Sequence, residues 1–417
     1  MKGVCMKKRN GFLVIVLLVA ALTAVQAQTE GTFGTGLTWA LSGDGTLTIG
    51  GSGSMPVSMS GGSPASGGAY QPWVSVLNSI TSVVIEDGVT GTLSIGAFAN
   101  CANVAQITIG KGITEIRDSV FQGTAITSIV IPEQIVSISL DTFRGANRLE
   151  TVYFNAVNCG DMGAILDYPP FHQSKTPALK NIVIGDTVVR IPAQLFLGAN
   201  TVTSLTIGSH VTEIGMHAFA DCSGLTSIVI PDSVQTIRNF AFRNCSSATS
   251  IVLGSDLSVV MPGAFTGSKI TELTIPENVT RLSGGCFGNS TRLKTVYFNA
   301  TALTQTDVDS PFSDSQQLES IIFGDNVRQI PSAIAKNLTG LYSVTIGRRV
   351  NRFNGYYAFE GCLALEEVIC NATRPPALDN SQFSGVDKSY VIVRVPASAV
   401  AAYQAANNWK DFTIEAQ

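Results

Sequence analysis

Residues 225–245 read LTSIVIPDSVQTIRNFAFRNC, and the fold follows from how that stretch repeats. Ile228 and Ile230 flank Val229, and apolar, β-branched residues at period two make a short strand with one face turned inward. Pro231 ends the strand and turns the chain. Val234 and Ile237 then point two more apolar side chains inward from a second side. Ala241 and Phe242 turn the chain back and fill the core.

The same phrase recurs along the sequence. Its last strand residue is Ile85, Ile109, Ile131, Phe154, Ile184, Ile207, Ile230, Leu253, Ile275, Phe298, Phe323, Ile346 and Cys370. Most steps are 22 to 25 residues, and one, from Phe154 to Ile184, is 30. A second column keeps the same step: Phe98, Phe121, Phe143, Phe171, Phe196, Phe219, Phe242, Phe265, Phe287, Phe312, Phe359 and Phe383, with Ala335 in the gap. Two columns in step over this distance make a solenoid of about thirteen turns, each packed on its neighbours. Each buried Phe contributes roughly 2–3 kcal/mol through the apolar area it removes from water. Strands about 4.8 Å apart would form a sheet roughly 60 Å long.

The composition agrees. Hydrophobic residues make up 45% of the chain, too many for disorder, whereas charged residues are only 13%, too few for charged-faced helices. Residues 1–27 read as a signal peptide: Lys2, Lys7, Lys8 and Arg9 precede an apolar run from Phe12 to Leu22, and Val25 and Ala27 suit a peptidase. That run is too short to span a membrane, and no transmembrane segment is expected in the remaining chain. Without residues 1–27, 22 Lys and Arg face 30 Asp and Glu, a net charge of −8 with no basic cluster. Nucleic acid is therefore not an expected partner.

Seven of the eight cysteines lie beyond residue 27, a number that would ordinarily suggest a disulfide framework plus one free thiol. The register gives another reading. Cys101, Cys222, Cys245 and Cys362 each stand three residues after a column Phe, where other turns carry a small residue, so they read as buried free thiols. Cys286 takes the Ala slot before Phe287. Cys159 and Cys370 are the two whose placement the register does not explain.

These repeats resemble the BspA-type leucine-rich repeats over about residues 80–390. The resemblance implies a β-dominated leucine-rich-repeat solenoid of the α/β horseshoe type. Short parallel strands would form one face, with short turns or helical segments at the Ala-Phe positions. It also implies caps: residues 28–79 at the start, and at the end 391–417, a strand followed by one short helix. Two long turns, 155–172 and 299–312, depart from the plain pattern. Proteins of this type are generally surface or secreted modules for adhesion and protein binding, so an exported chain that is extracellular, cell-surface or periplasmic is implied.

No spacing suggests catalysis, a cofactor or a metal. His172, His210 and His217 do not converge as zinc ligands would and read as surface or packing residues. Gly50 to Met55 lacks the Gly-Lys-Ser/Thr of a phosphate loop and reads as a flexible loop. Asp307 and Asp309 read as solvated acids rather than a Ca²⁺ site. The sharper candidate is the outward residue of each strand. It is Val84, Thr108, Val130, Tyr153, Val183, Thr206, Val229, Val252, Thr274, Tyr297, Ile322, Thr345 and Ile369. This column carries no charge, and the column beside it is mainly Ser, Thr, Asn and Glu. An exposed apolar stripe marks a partner site, with Val130 to Ile322 as its centre. The expected partner is a protein, of the extracellular matrix or the envelope, or a glycan. The alternative is a structural envelope scaffold without a specific host ligand.

Overall fold

The computed structural model describes residues 29–59, 71–163, 168–303 and 306–417. The expected signal peptide lies outside the described residues. The chain winds as a β-solenoid of about 14 turns, one more than the marker series suggests. The difference arises at the ends. Thr46–Gly51 pairs in parallel with Ser82–Ile85, and Ile392–Val395 pairs in parallel with Glu367–Cys370, so the ladder begins before the first marker and continues beyond the last.

Each turn has three sides. The first is the marker strand, stacked in register: Val130 lies beside Tyr153, Tyr153 beside Val183, and Val183 beside Thr206. Alternation does the sorting. Ile129, Ile131, Val152 and Phe154 are buried while Val130 and Tyr153 face out, because successive side chains leave opposite faces of a strand. This ladder is interrupted three times, after Thr108, after Thr206 and after Val252. Two of these breaks coincide with the only 22-residue steps, Ile109 to Ile131 and Leu253 to Ile275. In both, the return from Phe to strand is one residue shorter than in the other regular turns. The shorter return pulls the strand out of line with its predecessor.

The second side carries two-residue strands such as Glu213–Ile214, Thr236–Ile237 and Val259–Val260, also parallel and in register. The two long turns both depart here. They separate Ser137–Ile138 from Arg190–Ile191, and Arg281–Leu282 from Gln329–Ile330, so this side is divided into three runs.

The third side is the Phe corner. From Trp73 through Phe98 to Phe312, consecutive rings lie 4.9–6.3 Å apart, mostly near-parallel. At Ala335 the column is interrupted, and Phe323, from a strand position, meets Phe359 edge-on at 6.5 Å. The Ala-Phe segments are turns, and the corner at Phe383 closes as a short 3-10 helix, Asn380–Phe383. The corner backbone is tied across turns: the N–H of Phe219 donates to the Ala241 carbonyl and that of Phe242 to the Ala264 carbonyl. In most turns left-handed residues flank the Phe on both sides. Two residues after it stand Asn100, Gly123, Gly145, Gly198, Asp221, Asn244, Gly267, Asn289, Asp314, Asn337, Gly361 and Gly385, all at positive φ. Gly, Asn and Asp are the residues that tolerate this region best.

All seven described cysteines are buried and unbridged. Three of the four in the small-residue slot donate to the corner of the preceding turn: Cys222 Sγ to the Phe196 carbonyl (3.3 Å), Cys245 to Phe219 (3.4 Å) and Cys362 to Ala335 (3.1 Å). Thr124 and Ser290 bond the carbonyl of their own Phe instead. The slot takes a small side chain in most turns, Ala146 and Ala199 included, and where that side chain is Cys, Ser or Thr it can bond a corner carbonyl. Cys370 fills the inward strand position that Ile holds elsewhere, with Sγ 3.1 Å from the Tyr403 hydroxyl.

Two expectations at the ends change. Gly50 and Gly51 are not a flexible loop: they end the strand Thr46–Gly51, and Gly53–Ser54 pairs with Val89–Thr90. A Cβ on Gly51 would come within 2.2 Å of the Gly36 carbonyl oxygen, so the close strand contact itself demands glycine. After Ile392–Val395 and the helix Val400–Ala405, a further strand, Thr413–Ala416, pairs in parallel with Ile392–Val395. Tyr403 and Trp409 are buried here, and their hydroxyl and indole N–H donate to the carbonyls of Ala372 and Pro376 (both 2.8 Å).

Candidate binding face

The outward column of the first side is continuous in register except at the three breaks, and none of its thirteen members is buried. Val130, Tyr153, Val229, Val252 and Tyr297 are 39–56% exposed, a large fraction for side chains of this size. Tyr153 and Tyr297 are six rungs apart, with Val183, Thr206, Val229, Val252 and Thr274 between them. At ~4.8 Å per rung the two phenols stand roughly 29 Å apart. Both Tyr belong to the turns that carry the insertions, so each anchor of the face is in the same turn as a departure from the second side.

The column's surroundings are polar. On the same face, Ser128, Thr151, Asn181, Ser204, Ser227 and Ser250 form the neighbouring column, and Asn181 Nδ2 donates to Thr151 Oγ1 across the ladder (3.2 Å). Farther out, Glu150 pairs with Lys180 (3.6 Å) beside Tyr153, and Lys294 with Glu319 (2.9 Å) beside Tyr297. All four are exposed, so these pairs add little to stability and instead border the stripe with charge. The ladder also ends on charge: Arg394 lies beside Ile369 and Glu415 beside Arg394, with both carboxylates of Glu367 and Glu415 bonded to the guanidinium. The uncharged stretch thus has a definite end.

The face is not flat. Where the ladder breaks after Val252, a depression of about 490 Å³ opens between Ser250, Val252, Glu272 and Thr274. Near the break after Thr108, a larger one of about 750 Å³ is lined by Ile109, Val130, Pro132 and Asn155. The outward column therefore offers apolar contact, hydroxyl donors and two recesses in one surface. The arrangement suits association and contains no nucleophile with a base.

Asp307 accepts from the Gly284 N–H (3.0 Å), and among the described residues no three His, Cys, Asp or Glu gather as metal ligands. No described helix is long and apolar enough to cross a membrane. His210 is exposed on the first bend, 3.4 Å from Ser209 Oγ. His172 and His217 are brought together on the Phe corner, where they line one cleft of about 520 Å³ with Tyr168, Phe240 and Arg243. His217 and Phe240 both stand two residues before a column Phe, in consecutive turns, whereas His172 directly follows Phe171, two turns before Phe219.

A parallel ladder with one leucine-rich-type repeat per turn and a buried Phe corner defines a leucine-rich-repeat protein, a class typical of repeat proteins without catalysis. The BspA-type leucine-rich repeat region matches residues 76–163, 170–294 and 262–388, in six copies, and the chain belongs to that family. Among solved structures, a leucine-rich repeat protein from Bacteroides ovatus is 15% identical, with 94% of this chain and 99% of that one covered and a TM-score of 0.46. A leucine rich cell surface protein from Faecalibacterium prausnitzii is 19% identical, with 94% and 96% covered and a TM-score of 0.33. A leucine-rich repeat protein from Eubacterium ventriosum is 20% identical, with 89% and 94% covered and a TM-score of 0.38. No curated protein matches the chain.

Proposed function

We propose that this chain is an exported binding protein that holds a protein partner against the outward column centred on Val130, Tyr153, Val183, Thr206, Val229, Val252, Thr274, Tyr297 and Ile322. The observation that carries the reading is a column of thirteen outward residues, free of charge, that stays unburied from Val84 to Ile369. Strand propensity accounts for β-branched residues at these sites but not for the exclusion of charge from every one. Uncharged contact area with two Tyr anchors and a polar rim is the composition of a recognition surface. The ends, residues 28–79 and 391–417, serve as caps that keep the apolar column from water. The residues before 28 direct export, and the protein acts outside the cytoplasm.

The test is capture by purified extracellular-matrix proteins immobilised on a sensor surface. The chain should bind one of them, and Tyr153→Ser with Tyr297→Ser should abolish that binding without moving the melting temperature. Capture that persists in the double variant would reduce the stripe to a structural feature. Self-association that survives the same double variant, with no matrix binding, would favour a scaffold of the cell envelope.

A further inference from the structure

On the Phe corner, away from the strand face, two pairs of stacked rings, exposed at Tyr168 and half-buried at the other three, face a common cleft. Tyr168 stacks on His172 with centroids 4.0 Å apart and planes 16° apart. His217 stacks on Phe240 at 5.0 Å and 21°. Leu197 and Gly198 lie between them, and Asp221 and Arg243 supply the polar edge. The cleft is open to solvent on one side, and its volume, about 520 Å³, lies within the range of small-ligand sites.

Three features of this cleft bear on a ligand. The first is backbone strain. His217 and Phe240 stand at φ 55° and 58°, in a column where Gly96, Gly263 and Gly285, and also Ser119, Gln194, Ala333 and Tyr357, are left-handed at the same position, and here two aromatic rings of consecutive turns share it. A left-handed conformation is unfavourable for a bulky L-residue, and it persists where the surrounding structure over-determines it. The second is what the next turn gives up. A Cβ on Gly198 would come within 2.2 Å of His172 Cδ2, and one on Gly263 within 2.3 Å of Phe240 Cδ1. Two rings are therefore laid flat over glycines that have no side chain to oppose them. The third is the state of the polar edge. Asp221 accepts from Asn244 Nδ2 (2.9 Å) and faces the Arg243 guanidinium at 3.6 Å, which sits over the Phe240 ring at 5.7 Å. Arg243 Nε–H has no partner.

From this geometry we infer that the cleft binds a neutral sugar, a pyranose residue at the end or along the edge of a glycan. Flat aromatic faces take the apolar C–H face of a sugar ring, and a carboxylate next to a guanidinium offers acceptor and donor to its neighbouring hydroxyls. The charge balance favours a neutral ligand. Asp221 and Arg243 compensate each other, and both rings are neutral imidazoles near pH 7: burial and then Lys175 lower the pKa of His172, and burial and then Arg243 that of His217. An anion would meet Asp221 and a cation would meet Arg243. This site is separate from the strand face, so either can fail without the other.

The probe is a panel of neutral hexasaccharides of glucose, mannose, xylose and N-acetylglucosamine, measured by calorimetry and saturation-transfer NMR on the full chain. At least one should bind, with ring protons of the sugar saturated. The double change His217→Gly and Phe240→Gly installs the residue used at this position in other turns. It should weaken binding at least tenfold while the melting temperature holds. Asp221→Asn, the same size and equally at ease in the left-handed region, should weaken it about tenfold and guards against a folding artefact. Tyr153→Ser with Tyr297→Ser should leave sugar binding intact. The inference is overturned if no sugar binds, if binding survives both cleft variants, or if a short Phe-containing peptide occupies the cleft in place of the sugars.

Discussion

Replacing Phe242 with Ala tests the corner column at its centre. The ring is buried, with Phe219 and Phe265 each 5.2 Å away and nearly parallel at 11° and 1°. Removing it takes away both stacked contacts and leaves a cavity whose walls are held by cross-turn hydrogen bonds, so they cannot collapse inward. Phe→Ala in such settings costs ~3–5 kcal/mol, and the upper half of that range is expected here. The assay is urea unfolding followed by far-UV circular dichroism and by tryptophan fluorescence together. Trp39 and Trp73 report one end of the solenoid and Trp409 the other, whereas the dichroism reports every turn. If neighbouring turns are tightly coupled, both signals move to lower urea together; if coupling breaks at the cavity, the dichroism transition splits. A dichroism transition changed by less than about 1 kcal/mol would refute the claim that this column holds the turns together.

The converse change, Ala335→Phe, should also destabilise, by ~1–3 kcal/mol in the same urea assay, because Phe323 already approaches Phe359 beside that gap; a stabilised variant would show that the gap is empty. Lys175 is buried, donating to the Leu140 carbonyl at 2.7 Å and pairing with Asp141 at 2.9 Å, so Lys175→Met should cost ~1–3 kcal/mol of unfolding free energy, and no loss would mean water replaces the ammonium freely. Burial pushes the thiols of Cys101, Cys245 and Cys362 up to about 12, so iodoacetamide at about pH 8 should leave the folded chain unmodified by mass spectrometry and label these residues only after denaturation. Hydrogen bonds from the backbone N–H and then the hydroxyl of Ser209 hold the Asp186 carboxyl below its ordinary range. Its contribution is complete above the unfolded value of about 3.9 and is lost as pH falls through the lower folded value, so melting temperature should drop below about pH 4 and drop less in Asp186→Asn.

Much of this architecture could be read in the chain because each turn solves the same packing problem with the same residues. Ile131, Ile230 and Ile275 announce inward strand positions, and the Phe column announces the corner. The two 22-residue steps coincide with two of the three ladder breaks, whereas the break after Thr206 falls in a step of ordinary length. The left-handed residues were harder to see. Asp221, Asn244 and Gly267 share no hydrophobic signature, and only their common distance from a Phe, with φ measured, makes them one column. The aromatic cleft was hidden for a different reason. Tyr168 and His172 belong to a turn with an insertion, and Phe240 lies about 70 residues later; side chains adjacent down the stack are far apart along the chain.

The parallel ladder has a consequence for load. Its hydrogen bonds run along the axis of the stack, so tension between the two ends would strain them one rung after another and not all at once. Each turn released would add roughly 75 Å of slack, from about 23 extended residues less one rung. Single-molecule pulling should therefore give a sawtooth with that spacing, starting at an end or at one of the three interruptions. A chain tethered at both ends would act as a shock absorber, lengthening by turns while the remainder keeps its shape.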